Sequence, residues 1–539
     1  MPRNGTPTEG GAEVDFIVVG AGTAGCVLAA RLSEDPSCSV ALVDHGGVED
    51  DPRIHVPARV FSLAAGPMSW PVPTTPQAAA GEKVVLLAAG TGLGGSGSIN
   101  AMGWFHGQPA DYAAWEANGA EGWGWEQMLA VLRAAEDHEL GNSRFHGAGG
   151  PLSVTSPRHL HPLALSFIEA GIELGWPHSE DLNGAQRTGV ALAHSTIRNG
   201  ARHSVVDAYL TPALNRPNLV VRPHSHVTCV EMEGTRAVGV RYLAAGAATT
   251  ESAVNQIAAR KGVVLACGAV RTPQLLMLSG IGPAGHLREF GLPVVVDLPG
   301  VGQNFHDHPT AVVPFAIKDP SRLRDATYGD PERAYRLARR GPLSSFGQAI
   351  AAVAAIPDAT DPDALPDLHL GMAMLGADAG LPPAEGPSGV CLVALIAPDS
   401  RGSVRLASAS ALDAPLADPA FLQVAADRVR MRAGVRMAAG LLGSNAMSKD
   451  VKVLLPPMAG DEHLDAYIDE TLSSYYHYAG TARMGIDDAA VVTPSLQVRG
   501  AERLWVADAS VMPRTPRGLT QAPTIAIAER AATFISAAG

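Results

Sequence analysis

The sequence of 539 residues predicts an α/β fold, and three stretches carry that prediction. Residues 15–47 read as strand, tight turn, helix and strand, with "FIVVG" and "SVALVD" as short apolar runs typical of buried parallel strands. Residues 261–282 repeat the strand, turn and helix, and a last strand and helix are predicted within 501–513 and 520–536. Strands that alternate with helices favour a parallel sheet covered by helices.

Between these stretches the sequence changes character. Residues 50–110 are rich in Gly, Pro and Ala and are predicted to form an extended, looping segment. A helix is predicted over 125–139, and residues 218–243 alternate like a small antiparallel meander. Residues 320–460 mix helix and strand signals and carry no recognisable motif.

The composition predicts a folded protein with a large core and argues against nucleic acid as a partner. Of all residues 46% are hydrophobic and 17% are charged, which disfavours disorder. The formal net charge is −13, whereas phosphate binding needs clustered Lys and Arg.

The cysteines and the N-terminus predict a cytoplasmic location. The five cysteines are scattered without metal-ligand spacing, so reduced thiols are expected. Residues 1–14 lack an apolar core and are predicted to be a flexible tail rather than a secretory signal. The longest apolar runs are far shorter than the roughly 20 residues that span a bilayer, so no membrane span is expected.

A G-x-G-x-x-G motif lies between the first predicted strand and helix. Its first glycine permits the tight turn, the second lets a pyrophosphate approach the backbone, and the third lets the helix pack on the strand. The free N–H groups of the helix N-terminus suit phosphate oxygens. Asp44 ends the second predicted strand, where its carboxylate can accept hydrogen bonds from a ribose diol. The cofactor-binding residues predicted in the motif are Gly20, Gly22, Thr23, Ala24 and Gly25. The Asp44 carboxylate argues against a cofactor with a 2′-phosphate on its ribose, so NAD and FAD both remain possible cofactors.

Four longer motifs separate these two cofactors. "GTGLGGSGSINAMGWFHG" (90–107) resembles the glycine-rich signature of the glucose-methanol-choline (GMC) oxidoreductases, which are FAD enzymes. "GAVRTPQLLMLSGIG" (268–282) resembles the second signature of that family. "VGQNFHDHP" (301–309) and "VADASVMPRTPRGLTQAPTIAIAERAA" (506–532) resemble two further family blocks. The resemblance runs collinearly from about Asp15 to Ile535, is weakest over 320–460, and implies FAD.

The glycine-rich run is expected to contact the cofactor closely. A run with few Cβ atoms lets backbone amides crowd a bulky, charged group. By resemblance, Asn100 and Ser96 contact the flavin or its phosphates, and Val227 faces the adenine. Asp508 lies near the ribityl-phosphate by the same resemblance. The resemblance of these motifs to the family also implies that Gly94, Gly95 and Ala509 bind FAD.

Two positions depart from the family pattern. Thr91 stands where the signature expects a basic or amide residue, which puts one local contact in doubt. Ile99 stands where some relatives carry a histidine joined covalently to the flavin. Isoleucine cannot form that bond, so the expected FAD is non-covalent.

The stretch "YYHYAGTARMG" resembles the family segment with the catalytic histidine, which falls on His477. Alcohol oxidation needs a base that is neutral near pH 7, and imidazole suits that task. A second polar residue of the family falls on Gln521, whose amide can donate to an alkoxide but cannot accept the proton. Tyr476 is expected to line the substrate pocket by analogy. His308, in the "DHP" turn, is interpreted as structural.

The resemblance implies an alcohol oxidase or dehydrogenase that converts a primary alcohol of a small or mid-sized molecule into an aldehyde. The hydroxyl proton would pass to His477 and the hydride to flavin N5, with O₂ or another acceptor reoxidising the flavin. Two alternatives within the family stay open: a lyase of the cyanohydrin type and a fatty-acid photodecarboxylase. A protein that only binds its ligand is the least supported class.

Two domains are predicted. A Rossmann-like, discontinuous FAD-binding domain is expected over 15–149, 196–311 and 463–539. A substrate-binding domain with a largely antiparallel β-sheet is expected over 150–195 and 312–462.

Overall fold

The computed structural model describes most of the chain, namely residues 12–48, 51–64, 66–244, 254–319, 330–346, 349–355, 364–375, 388–456 and 460–538. Most of the predicted N-terminal tail lies outside the described residues. The prediction of a tail up to residue 14 is wrong at its end, because the first strand begins at Ala12 and Val14 is buried. The strand Val254–Leu265 pairs with these extra residues, and Val14 lies opposite Ala259.

Two large sheets organise the described residues. Their strands are β1 Ala12–Val19, β2 Val40–Val43, β3 Gly189–Leu192, β4 Leu219–Arg222, β5 Ser225–Glu233, β6 Arg236–Ala244, β7 Val254–Leu265, β8 Pro309–Ile317, β9 Ala349–Val353, β10 Leu368–Leu375, β11 Ser388–Leu395, β12 Val451–Val453, β13 Ser473–Ser474 and β14 Leu504–Val506.

Helices cover both sheets. In the described part of the chain those of eight residues or more are α1 Thr23–Leu32, α2 Pro109–Ala117, α3 Trp125–Ala135, α4 Pro162–Glu173, α5 Gly268–Leu278, α6 Pro331–Ala338, α7 Ala425–Gly443, α8 Asp461–Thr471 and α9 Gln521–Ala538. Within the described residues, no helix combines the length and the apolar character needed to cross a membrane.

The first sheet has the order β4-β2-β1-β7-β6-β5, with β14 beside β7. Strands β4, β2, β1, β7 and β14 are parallel, and β5 and β6 add an antiparallel hairpin. The predicted meander over 218–243 is therefore half right, because β4 pairs in parallel with β2 and only β5 and β6 form the hairpin. The α/β fold predicted from the three stretches is confirmed.

The second sheet is antiparallel and has the order β12-β8-β11-β10-β9-β3, with β13 beside β8. Its alternate residues point to opposite faces, and one face forms the buried core against α4 and α7. A largely antiparallel second sheet was predicted and is confirmed. The domain boundaries stay a prediction; β8 begins at Pro309, three residues before the boundary expected at 312.

One predicted helix is too long. The pattern over 125–139 predicts helix throughout, but α3 ends at Ala135 and Glu136–His138 form a short strand. Glu136 is fully buried, and its carboxylate accepts hydrogen bonds from Trp104 Nε1 at 2.6 Å and from the Gly147 N–H at 2.9 Å. Those tertiary contacts draw the chain away from the helix axis.

Candidate active site

The carboxyl ends of the parallel strands meet at one edge of the first sheet. In the register of the sheet, Val19 pairs with Val43 and Leu265, and Leu265 pairs with Val506. The loops that follow these residues therefore lie side by side. In open parallel sheets this edge is where nucleotide ligands bind.

The first of these loops has the geometry of a phosphate cradle. Gly20 has φ of +99°, and a Cβ there would lie 2.5 Å from the Ala266 carbonyl oxygen, so only glycine fits. A Cβ on Gly22 would meet no atom within 4 Å, which leaves its backbone open on the ligand side. The loop then enters α1, whose N-terminal N–H groups face the same space.

Asp44 directly follows β2, and its carboxylate accepts three backbone hydrogen bonds. The donors are the N–H groups of Ala21 at 2.6 Å, Gly46 at 2.8 Å and Gly92 at 3.2 Å. The carboxylate thus joins the G-x-G-x-x-G loop to the glycine-rich run. Its predicted contact with a ribose diol stays a prediction.

The glycine-rich run abuts the first loop. The Gly94 N–H donates to the Ala21 carbonyl at 2.7 Å, and a Cβ on Gly95 would lie 2.9 Å from the Gly22 Cα. Ser96 begins a short helix and is exposed, whereas the Thr91 hydroxyl is buried and has no hydrogen-bond partner among the described residues. The open backbone at Gly22 and the unpartnered Thr91 hydroxyl fit the ADP half of a dinucleotide.

Asp508 closes the same edge from the C-terminal part of the chain. Its carboxylate accepts the Gly268 N–H at 2.8 Å, the Thr272 hydroxyl at 2.7 Å and the Ser510 N–H at 2.8 Å. It therefore fixes the start of α5 beside the cradle. Val227 lies half-buried on β5 and Ala509 begins the turn after Asp508; the expected cofactor contacts of these residues stay predictions.

His477 is held by a second histidine. Its Nδ1 lies 3.0 Å from Nδ1 of His308, which leaves Nε2 of His477 without a described partner. Burial, with a smaller contribution from His369, lowers the pKa of His477 to about 3. The imidazole is therefore neutral at physiological pH.

Asp307 anchors this pair through the backbone. Its Oδ1 accepts the N–H groups of His308 and His477, each at 2.7 Å, and its Oδ2 accepts the Ser474 hydroxyl. Burial raises the pKa of Asp307 to about 7. The interpretation of His308 as a turn residue thus misses its contact with the proposed base.

The orientation of the Gln521 amide follows from its neighbours. Arg202 Nη1 donates to Asn100 Oδ1 at 2.8 Å, so Asn100 presents its Nδ2 on the other side. Asn100 Nδ2 donates to Gln521 Oε1 at 2.8 Å. Gln521 Nε2 is buried with no hydrogen-bond partner in the described residues. The amide therefore keeps two donor hydrogens free for an oxygen in the site.

The two tyrosines before His477 differ in position. The rings of Tyr475 and His477 are in contact, with centroids 4.5 Å apart. Tyr476 is 48% exposed and adopts a left-handed backbone conformation, with φ of +64°. The pocket role of Tyr476 stays a prediction, and Tyr475 is the tyrosine seen against the base.

Sequence reasoning missed three side chains that shape this site. Asp307 stands in the block "VGQNFHDHP", so a signal for it was present. Tyr475 is one of two adjacent tyrosines, and the pattern gives no means of choosing between them. Arg202 lies in no quoted motif; it is 2% exposed and contacts Asn100 across 102 residues of sequence.

Comparisons with known proteins agree with this geometry. Sequence models described as GMC oxidoreductase match residues 14–310 and 398–528. An alcohol dehydrogenase [acceptor] of Pseudomonas putida is 38% identical over 536 residues, which cover 97% of this chain and 95% of the relative.

Solved structures match over nearly the whole chain. A pyridoxine 4-oxidase from Mesorbium loti superimposes with a TM-score of 0.86 at 32% identity, covering 96% of this chain and 98% of that one. A formate oxidase of Aspergillus oryzae RIB40, from a study of FAD modification, gives a TM-score of 0.89 at 27% identity and covers 98% of both chains.

Proposed function

This chain belongs to the GMC oxidoreductase family, and from that premise we propose that it oxidises a primary alcohol to an aldehyde with His477 as the base. Members of the family act on CH–OH donors, and FAD is the family cofactor. The observation that carries the proposal is the neutral, partly buried imidazole of His477, bonded through Nδ1 and without a described partner at Nε2.

When bound, FAD would supply the two-electron acceptor for the hydride of the alcohol carbon. The residues that would hold it are those of the glycine cradle, namely Gly20, Gly22, Gly94 and Gly95, together with Asn100. The open backbone at Gly22, and the close approach of backbones that Gly20 and Gly95 permit, fit that group.

The proposed role of His477 requires one of the two tautomers that the histidine pair allows. Nε2 of His477 can accept the hydroxyl proton only when Nδ1 carries a proton and donates it to Nδ1 of His308. His308 then carries its own proton on Nε2. The imidazolium formed on His477 keeps the same hydrogen bond, so no side chain has to move during proton transfer.

Gln521 supplies the second interaction with the substrate oxygen. Its unpartnered Nε2 can donate to the alkoxide as the hydroxyl proton leaves. Because Asn100 holds Oε1, the amide cannot rotate to present an acceptor instead. The base and the donor thus have separate roles, with proton removal at His477 and charge stabilisation at Gln521.

The acceptor that reoxidises the flavin is not fixed by this geometry. The relatives include both an acceptor-dependent alcohol dehydrogenase and a 4-oxidase. O₂ and another electron acceptor both stay in the proposal. A cytoplasmic location and the lack of a nucleic-acid partner rest on composition and stay predictions.

A stopped-flow experiment tests the proposed function. The FAD-loaded protein is mixed anaerobically with a panel of primary alcohols, and flavin bleaching is followed before air is admitted. Bleaching by an alcohol, with release of the aldehyde, is the expected result. A cyanohydrin that is cleaved while the flavin stays yellow would indicate the lyase, and light-dependent loss of a fatty acid would indicate the photodecarboxylase. Rapid recovery of the yellow colour in air identifies an oxidase.

A further inference from the structure

A cluster of buried histidines surrounds Glu136 and has no part in the proposed reaction. Glu136 is the first residue of the short strand after α3. Nε2 of His106 lies 3.2 Å from Glu136 Oε2, and Nδ1 of His146 lies 3.1 Å from Glu136 Oε1. The three residues are at most 3% exposed. Two imidazoles therefore approach the two oxygens of one carboxylate, one imidazole at each oxygen.

The spacing of these atoms suits a small cation. Among the described residues, His106, Glu136 and His146 form a group whose ligand atoms lie within 4.8 Å of one another. A zinc ion lies about 2 Å from each nitrogen or oxygen ligand, so ligands at right angles to one another are about 3 Å apart. The two nitrogen–oxygen distances of the cluster match that separation. The carboxylate can supply both oxygens, so three side chains offer four donor atoms.

His146 is oriented in the way that a ligating histidine usually is. Its Nδ1 faces Glu136, and its Nε2 lies 2.6 Å from Asp181 Oδ2. Histidine ligands commonly donate their second N–H to a carboxylate, which fixes the ring and its tautomer. Asp181 is itself held in place, because its Oδ1 accepts the Asn183 N–H at 2.9 Å. With the proton on Nε2, Nδ1 of His146 presents a lone pair to the site.

The His106 ring can present a second lone pair. Trp104 Nε1 donates to Glu136 Oε2 at 2.6 Å and lies 3.2 Å from His106 Nε2. Burial lowers the pKa of His106, so the ring is neutral. With its proton on Nδ1, the ring directs the lone pair of Nε2 at the Glu136 oxygen. Two acceptors at this distance are stabilised by a cation that binds both.

A proton is the competing occupant of the cluster. Burial alone would lower the pKa of His146, but its hydrogen bonds to Asp181 and Glu136 raise the pKa to about 9. Without a metal, His146 is therefore an imidazolium that bridges two carboxylates. A metal ion takes the place of the Nδ1 proton, because a histidine ligand must be deprotonated at the ligating nitrogen.

The donor set indicates the kind of metal. Imidazole nitrogens with a carboxylate suit divalent transition metals and Zn²⁺, whereas Mg²⁺ and Ca²⁺ prefer six or more ligands that are mainly oxygens. The ligand side chains are closed off from solvent, as they are in structural zinc sites. The cluster therefore fits a structural ion better than a catalytic one.

We propose that His106, Glu136 and His146 bind one structural Zn²⁺ ion. The ion joins the end of the glycine-rich run, the short strand after α3 and the turn that follows this strand. Phe105 precedes the first ligand, and its ring contacts that of His369, with centroids 5.5 Å apart. The site thus fixes the segment that carries Phe105, and its occupancy does not depend on which reaction the protein catalyses.

The metal content of the FAD-loaded protein tests the proposal. Protein purified without chelator should contain one zinc ion per chain by mass spectrometry of the elements. X-ray absorption at the zinc edge should show scattering from imidazole. Removal of the ion with dipicolinate should lower the melting temperature, and added Zn²⁺ should restore it, because a ligand of the folded state stabilises that state. Protein that contains no zinc and takes up neither Zn²⁺ nor Co²⁺ would overturn the proposal and leave the proton on His146.

Variants locate the ion. Glu136→Gln should lose the zinc, and Asp181→Asn should weaken its binding about 10- to 100-fold, the usual effect of losing the partner of a ligating histidine. His138→Gln is the matched control and should keep the zinc. His138 is 2% exposed and stacks on His146 with centroids 3.8 Å apart, but it supplies no ligand. Full zinc content in Glu136→Gln would place the ion elsewhere and overturn the proposal.

The wild-type spectrum decides if the ligand variants fail to fold. Zinc-edge scattering from two imidazoles with oxygen, and none from sulfur, supports the site. Scattering without imidazole overturns it. Both outcomes are independent of alcohol oxidation, so failure of the metal site and failure of the proposed function are distinguishable.

Discussion

At the scale of single residues, the role of His477 depends on its second ring nitrogen. A lone histidine in a sequence is more often structural than catalytic, and only the resemblance of "YYHYAGTARMG" to the family segment favours catalysis for His477. The contact of its Nδ1 with His308 at 3.0 Å fixes the ring and leaves Nε2 free. The histidine therefore has both the orientation and the neutral state that a base needs.

His477→Ala should leave the fold and bound FAD intact and slow flavin reduction by about 10²- to 10⁴-fold, the range for a positioned general base. Because the pKa of His477 is lowered to about 3, the base form is present above that pH and lost only below it. Wild-type flavin reduction between pH 5 and 9 should therefore show no acid limb from His477. The measurement is stopped-flow absorbance of both proteins over that range.

Asp307→Asn serves as the control for the pH profile, because the pKa of Asp307 is raised to about 7. A limb near pH 7 that disappears in this variant belongs to Asp307. A limb near pH 6 to 7 that persists in it would mean that His477 keeps an ordinary pKa, and wild-type rates in His477→Ala would remove the residue from the mechanism.

Gln521→Leu should lower the rate of flavin reduction by about 10²- to 10³-fold, the effect of removing one donor to a developing oxyanion. Gln521→Asn keeps an amide at the start of α9 and should retain more activity than the leucine variant. The rate constants for reduction at saturating alcohol provide the comparison. Full activity in Gln521→Leu would reduce Gln521 to a residue that only lines the pocket.

At the scale of elements, the first βαβ unit positions the cradle through close packing. A Cβ on Gly25 would lie 1.7 Å from the Gly20 carbonyl oxygen, so α1 could not approach β1. A Cβ on Gly22 meets nothing, and Gly22 has φ of −73°, which alanine adopts freely. One glycine therefore serves the packing of the fold and the other keeps space for the ligand.

This contrast gives a paired prediction. Gly25→Ala should lower the melting temperature of the apoprotein, since a backbone clash of this size costs at least about 1–3 kcal/mol. Gly22→Ala should leave the apoprotein melting temperature unchanged and weaken FAD binding, because its methyl group enters the phosphate space. Thermal melts and FAD titration of both apoproteins decide this; an unchanged FAD dissociation constant in Gly22→Ala would contradict the cradle.

At the scale of the whole molecule, the site joins parts of the chain that are far apart in sequence. The Asn100 and Gln521 side chains are bonded across 421 residues, and those of His308 and His477 across 169. The cradle belongs to the first sheet, whereas β13, just before His477, pairs with β8 of the second sheet. Cofactor loops and base are thus held by different sheets.

The purified protein should be yellow and should release its FAD on treatment with acid or heat. Ile99 is 7% exposed and packs with Ile54, Leu63 and Met68, and it cannot bond covalently to a flavin. Added FAD should raise the melting temperature, because a ligand that binds only the folded state stabilises it. Absorbance of the supernatant after denaturation is the measurement. Flavin that stays with the precipitate would point to another attachment residue.

The sequence by itself determined the features that depend on neighbouring residues. The spacing of Gly20, Gly22 and Gly25, with Asp44 at the end of the next strand, predicted the βαβ unit and its nucleotide site, because turn, helix start and strand end are local. The family motifs added FAD and the fold of both sheets. Where the pattern was weak, at the end of α3 and the start of β1, buried partners elsewhere in the chain set the boundary.

Only the tertiary structure decided how the side chains act on one another. Contacts between distant segments bring His308 against His477. Other such contacts let Arg202 orient Asn100, which in turn binds one end of the Gln521 amide and leaves the other end free. The low pKa of His477 comes from burial, which no local pattern encodes. A motif can indicate which residue is functional. The protonation state of that residue, the direction of its hydrogen bonds and the side on which it is free to bind a ligand depend on what packs around it.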